Sequence, residues 1–185
     1  MARKPQPESL HEGKFIRLLR QGRWEFADRV NASGIIMIVP VTNDNKLIII
    51  EQFRPPVGKR VIELPAGLAG DIEGSEDEAL TVAARRELEE ETGYTARYMK
   101  RVAEGPPSAG MVTELITISV ASGVVQSGNV GGDGEKTITV HDVPLSRVRS
   151  WLDRKEREGC LIDLKLWSGL YFAQQHAARK QGRFR

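Results

Sequence analysis

Three glutamates share one side of a short stretch, Arg86-Glu87-Leu88-Glu89-Glu90-Glu91-Thr92-Gly93-Tyr94. Read as helix, each residue turns about 100°. With Glu87 at zero, Glu90 falls near −60° and Glu91 near +40°, roughly one arc of the surface. Glu89 lies on the far side. Like charges on one face repel unless something positive is close. Arg86, four residues before Glu90, can brace it. The charge that remains suits a hard divalent cation, which takes oxygen ligands. Gly93 then ends the helix, as glycine does at C′. A glutamate run on its own is usually a solvated face, so its surroundings decide the reading.

Upstream, Glu63-Leu64-Pro65-Ala66-Gly67 is a short apolar run stopped by Pro and Gly. The segment as a whole resembles the Nudix box: Gly, five residues, Glu, seven residues, then Arg-Glu-U-x-Glu-Glu-x-Gly-U, with U apolar or aromatic. Arg86, Glu87, Leu88, Glu90, Glu91, Gly93 and Tyr94 fill the second half without a gap, and Glu78 stands at the middle glutamate. The first half departs. Ile72 stands where the glycine belongs. Either Gly67, which follows Pro-Ala as the family's glycine does, holds that place with an insertion in 68–75, or Gly70 and Glu76 hold it with the insertion after Glu76. The role of Glu78 stays open.

The resemblance implies an α/β fold, the Nudix α/β/α sandwich with a mixed β-sheet. It also implies metal binding by Glu87, Glu90 and Glu91 with the backbone carbonyl of Ala66, and Mg²⁺, or Mn²⁺, as the cofactor. Gln52-Phe53-Arg54 after Glu51 is similar to the Glu-Gln-x-Arg run of ADP-ribose pyrophosphatases, whose arginine lies near the substrate diphosphate. Guanidinium pairs with phosphate oxygens in bidentate fashion, against the plainer reading of a structural arginine. Glu63 is a further candidate near the substrate. Gly105–Gly110 resembles a Pro-Ser-Pro-Gly run of the same subfamily and Glu114 matches its closing acid. Ala109 replaces the subfamily's marking proline, which leaves room for other nucleoside diphosphate sugars. The Gly-rich segment 127–136 matches a mobile catalytic loop, with Glu135 placed as the base, Asp133 second and Glu90 the rival. A plain solvated loop is the alternative there.

The expected reaction is hydrolysis of a nucleoside diphosphate sugar, ADP-ribose or GDP-mannose among them, to a nucleoside monophosphate and a sugar phosphate. Two alternatives remain: another nucleotide class (dinucleoside polyphosphate, nucleoside triphosphate or capped RNA), or a sensor that binds a nucleotide sugar without cutting it. The single cysteine, Cys160, rules out an internal disulfide or a Cys-based zinc site. A net charge of +2 argues little for nucleic acid. No apolar run is long enough for a membrane span and no signal segment follows Met1, so the expectation is cytoplasmic.

The expected organisation is an N-terminal β extension over 1–32, a Nudix domain over 33–180 and a basic tail over 181–185. Residues 1–10 read as a loose terminus. Phe15–Leu19 and Trp24–Arg29 read as a hairpin too small to stand alone. The resemblance makes this hairpin a homodimer-forming piece that helps hold the base. Trp24 is then either core or a stacking surface. Gly34–Val41, Leu47–Glu51, Arg60–Leu64, Met99–Ala103, Glu114–Ala121 and Thr137–His141 read as strands, with His141 at a strand end and structural. Helices are expected from Ser75, with a capping box to Glu78, to Thr92, over Leu145–Arg157 with Val148, Trp151 and Leu152 inward, and over Leu161–Ala178 with Leu164, Trp167, Leu170 and Tyr171 as core.

Overall fold

Apolar runs with β-branched residues build the centre. Gly34–Thr42 (β4) and Lys46–Arg54 (β5) form strands whose middles are wholly buried, joined at a turn where Asn45 takes φ 59°. A computed structural model of the chain describes residues 6–30, 34–70, 79–128, 138–180 and 182. Around these two strands lie Lys59–Glu63 (β6), Ala66–Ala69 (β7), Tyr94–Gly105 (β8), Ile116–Gln126 (β9), Thr139–Pro144 (β10) and Leu161–Ile162 (β11). The sheet is mixed. β4 runs parallel to β9 and antiparallel to β7, while β5 runs antiparallel to both β6 and β10. β11 adds to β6 in parallel.

Helices cover both faces, which a mixed sheet buried on two sides requires. Leu80–Thr92 (α1) lays Ala84 and Leu88 on Ile36, Ile38 and Ile48. Val148–Arg157 (α2) and Leu164–Lys180 (α3) cover the other face through Val148, Leu152, Leu166, Leu170 and Ala173. The approach of α3 is close. A Cβ on Gly169 would fall 2.1 Å from Leu64 Cδ1. Among the described residues no helix is long and apolar enough to cross a membrane.

Several expectations change. The N-terminal piece is a three-stranded antiparallel sheet rather than a hairpin. Glu8–Glu12 (β1) joins Ile16–Gln21 (β2) and Trp24–Arg29 (β3). β1 was hidden because its residues are all exposed, so no apolar alternation marks it. Trp24 is 56% exposed and is not core. On α3, Leu164 and Tyr171 face out, and the buried stripe is Leu166, Gly169, Leu170 and Ala173. Leu170 is buried and Trp167 packs against the core as expected, so the true arc is shifted from the expected one rather than opposite to it. α1 begins at Leu80 after an extended Ala79, later than expected. Ser75 and Glu78 lie outside the described residues. His141 sits within β10, which continues to Pro144.

Candidate active site

β7 brings the backbone to the carboxylate helix. Gly67 is the point of closest approach, since a Cβ there would fall 2.0 Å from both Cγ and Cδ of Glu87. Only glycine lets the carboxylate stem cross that strand. Next to it, the Ala66 amide donates to Glu91 Oε2 at 3.1 Å. Arg86 ties the arc together. Its Nη1 donates to Glu87 Oε1 at 2.9 Å and to Glu90 Oε2 at 3.2 Å, and its Nη2 donates to the Leu68 carbonyl at 3.1 Å. Gly93 closes α1 in the left-handed region, φ 68°, donating to the Glu89 carbonyl.

Glu87, Glu90, Glu91, Ala66 and Arg86 are thus brought together. Their carboxylates do not converge on one point: two turn to Arg86 and one to the Ala66 amide. Among the described residues no three acidic, histidine or cysteine groups form a metal cage. The donor set still fits a hard cation. Every donor is oxygen, and a guanidinium already lies between Glu87 and Glu90, where positive charge is favoured.

A second polar group stands on the same sheet face. Gln52 and Arg54 end β5 and Glu63 ends β6, three residues before Ala66. Buried Glu63 Oε2 accepts from Gln52 Nε2 at 2.9 Å and Arg54 Nε at 2.8 Å. The terminal nitrogens of Arg54 have no protein partner among the described residues, and its side chain is 43% exposed.

Glu114 joins the N-terminal sheet instead. Arg29 Nε donates to Glu114 Oε1 at 2.8 Å, and the Thr113 hydroxyl donates to Asp28. The backbone docks too. The Ala27 amide donates to the Met111 carbonyl at 2.8 Å, and the Thr113 amide to the Ala27 carbonyl at 3.1 Å. Trp24 lies exposed at the edge of this junction, near Gly110. Burial pushes the Asp28 carboxyl up, but hydrogen bonds from Thr113 and Arg17 outweigh it and hold it below the usual range. Glu135 and Asp133 lie outside the described residues.

The NUDIX domain model matches residues 33–158. The chain belongs to the Nudix family. It is 30% identical over 180 residues to the methanol dehydrogenase activator of Bacillus methanolicus, covering 94% of this chain and 92% of that protein. It is likewise 30% identical over 198 residues to the ADP-sugar pyrophosphatase of Mus musculus, covering 94% and 87%. A crystal structure described as an ADP compounds hydrolase superposes with a TM-score of 0.71 at 19% identity, covering 100% of this chain and 99% of that one. That last likeness speaks to fold alone. As a Nudix protein with pyrophosphatase relatives, the chain is a hydrolase of phosphoanhydride bonds.

The sequence reading missed Gln52 as a site residue. The signal was present in Glu51-Gln52-Phe53-Arg54: along a strand, alternate residues share a face, which places Gln52 beside Arg54.

Proposed function

We propose that this Nudix hydrolase is a Mg²⁺-dependent pyrophosphohydrolase of nucleoside diphosphate sugars, releasing a nucleoside monophosphate and a sugar phosphate. Glu87, Glu90 and Glu91 with the Ala66 carbonyl would hold the cation, which would supply charge to offset the phosphates and to lower the pKa of an attacking water. Arg54 binds the diphosphate through its free terminal nitrogens, and Glu63, itself fixed by Gln52, holds the guanidinium in place. Arg86 restrains Glu87 and Glu90 between turnovers. Glu135 takes the proton from water, with Glu90 as the alternative base. Trp24 offers its exposed face to the nucleobase. Glu114 serves the substrate end indirectly, by fixing Arg29 and the N-terminal sheet.

The observation that carries this reading is the Arg54–Glu63 pair on the same sheet face as the carboxylate helix. A fixed, half-exposed guanidinium on the face that carries the proposed cation ligands suits a diphosphate. The similarity to an ADP-sugar pyrophosphatase over nearly the whole chain supports the substrate class. A homodimer formed through residues 1–32 fits the exposed Leu10, Ile16 and Leu18 on β1 and β2. The Nudix domain then spans 33–180 and the tail 181–185.

The test is a substrate panel in Mg²⁺: ADP-ribose, GDP-mannose and other nucleotide sugars against diadenosine polyphosphates, nucleoside triphosphates and capped RNA. The expected outcome is fastest turnover of a nucleotide sugar, with nucleoside monophosphate as product. Turnover confined to the second group contradicts the reading. So does tight nucleotide-sugar binding with no cleavage.

A further inference from the structure

On the opposite sheet face from α1, a groove runs between β8, β9 and α3. Two contiguous hollows, of 660 and 460 Å³, share Tyr98, Ser122 and His176. Tyr98 pairs with Ser122, and Lys100 pairs with Val120, a member of the core under α3. No residue of the carboxylate helix lines the groove, although Arg85 of α1 donates to the carbonyls of Ala96 and Arg97 at its far end.

Its charge is one-sided. Arg97, Lys100, Arg101, Arg179 and Lys180 line it, and no lining residue among those described is acidic. Arg101 pairs with Glu104 at 3.0 Å and Lys180 donates to the Asn43 carbonyl at 3.2 Å. Lys100 and Arg179 have no acidic partner among the described residues, and both are exposed. Between them sits a partly buried imidazole. Burial, then Lys180, Arg179 and Lys100, push the His176 pKa below its ordinary value. Three cations along one wall, with no acidic side chain facing them among the described residues, make the groove attractive to an anion. The walls also offer planar surface. Tyr98 is 57% exposed with Arg97 5.3 Å from its ring, and Tyr171 is equally exposed and edge-on to Phe172.

We propose that this groove is a second nucleotide site, distinct from the hydrolytic one, in which Lys100 and Arg179 hold the phosphates and Tyr98 stacks on the base. The volumes suit one small ligand rather than a macromolecule. Stacking on an exposed aromatic with cations alongside is how bases with attached phosphates are commonly held. The site stands independently of the substrate class proposed above.

The experiment titrates the full chain with ATP in EDTA, so that no divalent cation is bound, and follows the ring protons of His176 by NMR. Only His11 and His141 compete for assignment. The expected result is a saturable shift of His176 with its pKa raised on saturation. Lys100→Ala with Arg179→Ala should weaken ATP binding at least tenfold. Tyr98→Leu should weaken ATP but leave inorganic triphosphate unchanged. These side chains are exposed, and circular dichroism checks that the variants fold. A silent His176, binding unaffected by the double variant, or inorganic triphosphate binding as tightly as ATP overturns the proposal. A single-stranded RNA hexamer binding tenfold more tightly than ATP overturns it in favour of nucleic acid.

Discussion

Replacing Glu51 with glutamine would leave Lys155 and Arg60 facing a buried amide. In the native protein Glu51 Oε2 lies 2.9 Å from Lys155 Nζ and 3.0 Å from His141 Nε2, and Oε1 lies 2.5 Å from Arg60 Nε. Burial pushes this carboxyl up, but the Lys155, Arg60 and His141 hydrogen bonds win and lower it to about 2 from 4.5. A depressed carboxylate contributes stability above its unfolded pKa and loses it as pH falls through the folded value. The contribution is about 3 kcal/mol above pH ~4.5, disappearing toward pH ~2. Glu51→Gln should therefore cost about 3 kcal/mol at neutral pH, read by urea unfolding, and flatten the acid limb of stability against pH. An unchanged acid limb would contradict the role given to Glu51. At Gly67 the stake is catalytic. Gly67→Ala must displace Glu87, because the new Cβ would sit on its stem. Activity should fall roughly 100-fold, the scale of a misplaced catalytic group, while circular dichroism stays native.

At the scale of elements, packing distance decides more than pattern. α3 rests on the sheet at Gly169, so Gly169→Ala pushes against Leu64 and Val39. Overpacking of this kind costs about 1–3 kcal/mol. For a chain of this length, about 2–4 °C of melting temperature goes with each kcal/mol, and a thermal melt should read a drop of several degrees. The buried strands β4 and β5 were legible because they are unbroken apolar runs. The helix carrying Glu87, Glu90 and Glu91 was legible because its charges recur at helical spacing. β7 was not, since Pro65 and Gly67 read as breakers and its pairing with β4 is long-range. β1 gives no local signal at all. The sequence left Trp24 open between core and stacking surface, because a lone aromatic reports its own preference for burial, whereas its exposure depends on what the small sheet packs against. Gly67 was recognised as a motif position, but its contact with Glu87 depends on where α1 settles and appears only in three dimensions.

At the scale of the whole molecule, the N-terminal sheet docks on the segment around Met111 and Glu114 while leaving Leu10, Phe15, Ile16 and Leu18 exposed. So much exposed apolar side chain on a three-stranded sheet fits the homodimer proposed above. Light scattering should give a dimer for the native chain, and Ile16→Glu with Leu18→Glu should give a folded monomer. A native monomer at micromolar concentration would remove the proposed part of residues 1–32.

In the proposed function the α1 carboxylates gather a cation that allows water to cleave a phosphoanhydride. The direct measurement is hydrolysis of ADP-ribose in Mg²⁺ by the native enzyme and by Glu91→Gln. The glutamine oxygen can still accept from the Ala66 amide, so the helix keeps its seat while the charge is lost. The expected result is a fall in kcat/KM of roughly 100-fold or more with unchanged thermal stability. Undiminished hydrolysis by the variant would contradict it.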